Sequence, residues 1–194
     1  MTTTPTNYRI FIGAFLSGDL AERIQAIRVR LDPKSAKNTM PHVTLAGTYT
    51  RIGLPTPGSE AEAISRLCTL HNSVEPFDLV LSGVRTFPPA EQPVIYLHVE
   101  STPGLLAARQ VIMDQIGPDK HKRFIPHLTL GTRLQGESAR RALNTLKTSD
   151  LATHRFATAI SELRLMQRGP VDSSWRCIAT FSLTGNHNSN SCVE

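Results

Sequence analysis

The run Tyr8 to Phe15 (YRIFIGAF) is dense in apolar and aromatic residues and reads as a strand. From Ser17 to Leu31, Leu20, Ile24, Ile27 and Leu31 fall at helical spacing, with Ser17 or Asp19 as the cap. Pro33 to Met40 reads as a loop, and His42 to Tyr49 (HVTLAGTY) as a second strand. A Pro/Gly segment, Gly53 to Gly58, leads into a helix with Ala61, Ile64, Leu67 and Leu70 on one side. Strands are expected at Phe77 to Phe87 and Val94 to Glu100, separated by prolines that cannot donate to a ladder. Pro103 to Ile116 reads as a helix that stops at Gly117-Pro118, followed by a strand from His127 to Leu134 and a helix from Glu137 to Leu146. Two last strands, Ala157 to Gln167 and Trp175 to Leu183, complete the pattern.

The order β-α-β-α-β-β-α-β-α-β-β departs from strict βαβα alternation, so the expected class is α+β with antiparallel or mixed sheets. One pattern recurs. Pro41-His-Val-Thr-Leu opens one strand, and Pro126-His-Leu-Thr-Leu opens another 127 − 42 = 85 residues later. Recurrence at that distance points to two related lobes rather than to a short-period solenoid. Residues 1–184 are expected to form one domain of two interleaved lobes, with 185–194, which has no apolar pattern, a disordered tail.

The recurring motif also carries the candidate chemistry. Residues i and i+2 of a strand share a face, so His42 and Thr44 project together, as do His127 and Thr129, while Val43, Leu45, Leu128 and Leu130 face the core. A histidine pair can hold one neutral ring as base beside one protonated ring as acid, and phosphodiester cleavage needs both. The threonine hydroxyls can donate to the non-bridging phosphate oxygens. A single HxT is ordinarily a strand histidine satisfied by hydrogen bonds; a second copy, with Pro before it and Leu after, outweighs that reading. Metal ligation is the other common use of histidine. Neither motif has Asp, Glu, Cys or a third His at ligand spacing, and Asp114 and Asp119, the nearest acids upstream of His127, fall in a helix and its exit loop. No metal and no cofactor are expected.

Composition changes this picture little. Among 194 residues, 21 basic against 16 acidic side chains give a net charge of +5, which favours anionic partners. Three cysteines, Cys68, Cys177 and Cys192, match no zinc or CxxC spacing and are expected to be free thiols in a reducing compartment. No signal peptide or membrane-spanning stretch is evident, so a cytoplasmic monomer without membrane contact is expected.

With PHVTL at Pro41 to Leu45 and FIPHLTLG at Phe124 to Gly131, and with this element order over Tyr8 to Leu183, the chain resembles the 2H phosphoesterase superfamily. Within it, the chain resembles the 2′-5′ RNA ligase-like (LigT-type) RNA 2′,3′-cyclic phosphodiesterases. The resemblance implies an α+β fold of two pseudo-symmetric lobes around a central cleft that carries both HxT motifs, and metal-free opening of a terminal 2′,3′-cyclic phosphate to a 2′-phosphomonoester. Some members also join RNA ends through 2′-5′ linkages in reverse. It further implies His42 as the acid on the 3′-oxygen and His127 as the base on water.

Secondary candidates surround the motifs. Arg133 reads equally as a substrate-phosphate contact or as a surface arginine at a strand end. The cluster Lys120-His121-Lys122-Arg123 is a basic lip for the cleft or a solvated loop. Phe11 and Tyr96 are candidates for stacking on a base, with core packing the alternative, and Trp175 is assigned to packing. The substrate is an RNA end or a small cyclic nucleotide. Alternatives are a hydrolase of cyclic oligonucleotides, 2′-5′ oligoadenylates or ADP-ribose cyclic phosphate, and a non-catalytic nucleotide- or RNA-binding module.

Overall fold

The computed structural model describes residues 6–89, 92–120, 123–132 and 134–185. In chain order the elements are β1 (Asn7–Phe15), α1 (Gly18–Leu31), α2 (Pro33–Asn38), β2 (His42–Ile52), α3 (Pro57–Arg66), α4 (Leu70–Ser73), β3 (Phe77–Phe87), β4 (Val94–Val99), α5 (Pro103–Ile116), β5 (His127–Gly131), α6 (Gly136–Lys147), α7 (Asp150–Thr153), β6 (Arg155–Ile160), β7 (Glu162–Arg168) and β8 (Arg176–Ser182). The α+β class is as expected. The strands form one eight-stranded sheet, ordered β6-β3-β4-β5-β2-β1-β7-β8, with every neighbouring pair antiparallel.

The two HxT strands meet at the middle of that order. The β2–β5 ladder holds a single registered pair, Val43 with Leu128, and four strands lie on each side of the joint counting β2 and β5 themselves. The half β8-β7-β1-β2 draws on both ends of the chain, and the half β5-β4-β3-β6 on its middle.

Alternation sorts the side chains. On β1, Tyr8, Ile10, Ile12 and Ala14 enter the main core with Val43, Leu45, Ile95, Leu97, Leu128 and Leu130, while Phe11 and Phe15 form a second cluster with Met166 on the other face. The apolar stripe of α1 (Leu20, Ile24, Ile27, Leu31) and that of α5 (Leu105, Ala108, Ile112, Ile116) complete the main core. The helix α5 starts with Thr102 accepting from the Leu105 N–H and Pro103 in its first turn, and it ends at Gly117 with φ +91°.

Four expectations need correction. The strand expected to run from His127 to Leu134 ends at Gly131, and the helix expected to carry Ala61 through Leu70 ends at Arg66, with α4 a separate turn from Leu70. Pro33 to Met40 is not all loop, because α2 forms there: the Asp32 carboxylate accepts from the Ser35 N–H, Pro33 presets the first turn, and buried Arg28 donates to the Ser35 and Thr39 carbonyls. The stretch Ala157 to Gln167 serves two ladders rather than one, breaking at Ser161 so that β6 pairs with β3 and β7 with β1. Six strand spacings separate β6 from β7 in the order, roughly 29 Å if the sheet were flat. A one-residue link spans at most about 7 Å. The sheet therefore curls until those strand ends meet, which periodicity within a single strand cannot reveal.

Candidate active site

The register places the four motif residues together. With Val43 opposite Leu128, the antiparallel ladder sets His42 across from Thr129 and Thr44 across from His127, all on the face opposite the main core. Directly opposed side chains have Cβ atoms about 5 Å apart. Two imidazoles and two hydroxyls thus occupy the corners of one small quadrilateral.

Each ring is anchored the same way. His42 Nδ1 lies 2.8 Å from the Met40 carbonyl oxygen, and His127 Nδ1 lies 2.8 Å from that of Ile125. A carbonyl only accepts, so Nδ1 carries the hydrogen in both neutral rings and the lone pair is at Nε2. The proline between anchor and histidine explains the motif. It holds the preceding residue extended, which aims that carbonyl back at the ring, and its own carbonyl accepts from the adjacent strand: Leu16 N–H to Pro41 and Val99 N–H to Pro126, each 3.2 Å.

Aromatic rings fix the imidazole planes. His42 stacks on Phe11 (centroids 4.9 Å apart) and on Phe15 (5.1 Å). Gly13 makes room for this, since a Cβ there would stand 3.0 Å from the Phe11 ring and 3.1 Å from the Val43 carbonyl. Opposite, Phe87 and Tyr96 stack at 4.1 Å, and both meet His127 edge-on, at 4.9 and 5.4 Å. Burial among these groups pushes His42 down to about 4; the Met40 carbonyl opposes this, and the positive charges of Arg28 and His127 add to it.

A cavity of about 560 Å³ opens on the His127 side, its lining including Thr44, Thr129, His127, Phe87, Phe124 and Arg123. At its floor a buried ion pair joins Arg109 to Asp119 at 2.9 Å. Arg109 also donates to the Leu45 carbonyl and lies 4.2 Å over the Phe124 ring. Asp119 accepts from the Gly47 N–H at 3.3 Å, and Gly47 has φ +121° with Phe11 packed against its Cα, where a side chain would collide.

The secondary candidates fall out unevenly. Phe11 and Tyr96 are nearly fully buried, and both brace a histidine. Arg123 is exposed and lines the cavity. Lys122 and Arg133 lie outside the described residues, as does the tail after residue 185 with Cys192. Sequence reading missed Phe15, Phe87, Arg109 and Asp119, and it also missed His98, which the register sets opposite His127. Phe15 was within reach, being four residues from Phe11 on one strand face; Phe87 and Arg109 have no signal until the strands are paired.

The 2′-5′ RNA ligase superfamily matches residues 16–172, most of the chain and both motifs. The chain belongs to that superfamily. Curated relatives of this 2′-5′ RNA ligase superfamily member include two proteins carrying provisional phosphoesterase names, one from Bacillus mycoides (26% identical over 182 residues, 93% of this chain and 99% of that protein) and one from Bacillus cytotoxicus (28% over 177 residues, 90% and 96%). Among solved structures, Escherichia coli LigT complexed with 3′-AMP aligns with TM-score 0.59 at 22% identity, covering 93% of this chain and 99% of that one. A Thermus thermophilus protein aligns with TM-score 0.61 at 19% identity, covering 92% and 100%. These likenesses establish the fold. Among the described residues no helix is long and apolar enough to cross a membrane.

Proposed function

We propose that the chain is a metal-independent phosphoesterase that opens a 2′,3′-cyclic phosphate, at an RNA end or in a nucleotide, to a 2′-phosphomonoester. The observation that carries this reading is the Val43–Leu128 register, which sets both imidazoles and both threonine hydroxyls on one face. The crystal complex of LigT with 3′-AMP supports a nucleotide ligand for this cleft. The 560 Å³ cavity beside His127 is within the size range of small-molecule sites and would take the nucleoside.

In this mechanism the phosphate lies between the two rings, with Thr44 and Thr129 donating to its non-bridging oxygens. One Nε2 removes a proton from water as the water oxygen bonds to phosphorus. The P–O3′ bond breaks, and the other, protonated ring delivers its proton to O3′. The first ring ends protonated and the second neutral, and exchange with solvent resets both. With His42 held near 4, its ring is neutral at physiological pH, which favours His42 as base and His127 as acid. That reverses the roles implied by the resemblance. With an RNA 5′-hydroxyl in place of water as the nucleophile, the same step makes a 2′-5′ linkage; run backwards, O3′ attacks, the 5′-hydroxyl departs and the cyclic phosphate closes again.

The test is hydrolysis, in the presence of EDTA, of 2′,3′-cyclic nucleotides and of a short RNA ending in 2′,3′-cyclic phosphate, with 2′- and 3′-phosphate products resolved. Wild type yields the 2′-phosphate. His42→Ala and His127→Ala each lower kcat by about 10²–10⁴-fold while keeping the native circular dichroism spectrum. Full activity in either variant rejects the mechanism.

A further inference from the structure

The face that carries the histidines continues past His42, away from the cavity, over β1, β7 and the approach to β8. It bears its own apolar cluster, Phe11, Phe15 and Met166 with Trp175 against it, distinct from the main core. Trp175 meets Phe11 edge-on at 4.7 Å and is only half-buried. Guanidinium groups lie over these rings: Arg164 is 5.1 Å from the Phe15 centroid, and Arg9 is 5.6 Å from that of Trp175.

The charges on this wing are not balanced. Arg9 and Arg168 are direct cross-strand partners, and like charges so placed destabilise a ladder. Arg168 donates to the main-chain carbonyls of Asp172 and Ser173, which leaves its charge intact. The Asp172 carboxylate accepts from the Gly169 N–H at 2.6 Å instead. No carboxylate pairs with Arg9 among the described residues, whereas Arg164 is tied to Glu162. Among the described residues, then, two opposed guanidinium groups lie beside a half-buried indole with no carboxylate paired to either.

We propose that this wing is a binding subsite for single-stranded RNA, taking the chain upstream of the reacting end while the terminal nucleoside occupies the cavity on the His127 side. The inference rests on the function proposed above and narrows its substrate to RNA ends. Three lines favour it. Aromatic rings interleaved with arginines are the equipment with which single strands are held without sequence preference. Phosphates relieve the Arg9–Arg168 repulsion and accept from guanidinium forks. The wing also lies two strand spacings, about 10 Å, from the catalytic strand β2, a span of one or two nucleotides.

The experiment compares wild type, Arg9→Gln and Arg9→Glu on two substrates, a 2′,3′-cyclic mononucleotide and an oligoribonucleotide with the same 3′-terminal cyclic phosphate. On the oligonucleotide, kcat/KM falls about tenfold for the glutamine variant and further for the glutamate. On the mononucleotide it stays within about twofold. The slope of log kcat/KM against log salt for the oligonucleotide is shallower by about 0.7 for each phosphate that the variant no longer engages. Thermal melts of both variants close to wild type show that the fold is kept, since relief of the like-charge pair offsets the lost contact with the Trp175 ring.

Equal losses on both substrates, or no loss on the oligonucleotide, overturn the proposal. If wild type turns over neither substrate, the catalytic reading fails by itself. Equilibrium binding of a fluorescent 3′-phosphorylated oligoribonucleotide then decides the wing: affinity lost in Arg9→Glu supports it, and unchanged affinity overturns it.

Discussion

His42 shows how one side chain serves the site at the expense of stability. Its ring is held between Phe11 and Phe15 with Nδ1 on the Met40 carbonyl, and burial keeps it neutral down to about pH 4. In the unfolded chain the same group titrates near 6.5. Between those values the unfolded state binds more protons than the folded one, so folding stability is fully present above about 6.5 and declines as pH falls toward 4. A gap of that size is worth at most about 3 kcal/mol, less what the partly exposed edge of the ring recovers. Urea denaturation at pH 7.5 and at pH 4.5 checks this. The loss on acidification is expected to shrink in His42→Gln, which keeps a donor for Met40 but has no proton to gain; an unchanged loss assigns the acid sensitivity elsewhere.

At the scale of elements, Asp32 ties two separately encoded pieces together. Its carboxylate caps α2 through the Ser35 N–H and also accepts from the Thr132 N–H and hydroxyl at 3.0 and 2.9 Å, just beyond the end of β5. Burial alone would raise its pKa, but the bonds from Ser35 and Thr132 outweigh it and hold the group at about 2. This contribution is present above the ordinary carboxylate range near 3.9 and is lost as pH falls through 2. Asp32→Ala is expected to cost about 2–3 kcal/mol in chemical denaturation at pH 7, with Asp32→Asn recovering part through the cap alone. A loss below about 0.5 kcal/mol in the alanine variant would mean that α2 and β5 are held by other contacts.

The same residue marks where sequence reading stops. The starts of the HxT strands, the α1 and α5 stripes and the Gly117 stop are written in local periodicity and turn chemistry, and each is found where the pattern places it. The shared face of His42, Thr44, His127 and Thr129 was legible because a strand with one buried face fixes which residues share the other. The helix α2 was not legible, because a prolyl start and six residues give no period, and its capping carboxylate also answers to Thr132, 100 positions away. Phe87, Arg109 and Asp119 act through partners brought close only by the sheet order, so no window of sequence contains them.

At the scale of the whole molecule, the halves that hold the two rings are braced across each other. The joint between them is one registered pair, which alone would be a weak hinge. Yet α1, on the N-terminal half, packs on β5, and α5, from the middle of the chain, packs on β2, so each half's helix backs the other half's HxT strand. The core reflects this, because Ile24, Ile112, Val43 and Leu128 belong to one continuous cluster. Opening the cleft by separating the halves would therefore expose both helical layers at once, a cost near that of unfolding. Denaturation is expected to be a single transition in which the fluorescence of Trp175, which reports on the half built from the chain ends, superimposes on far-UV circular dichroism, to which both halves contribute. Two resolved midpoints would show that the halves melt separately, and a cleft that loosens before unfolding could not hold Nε2 of the two rings at the fixed separation that the proposed mechanism requires.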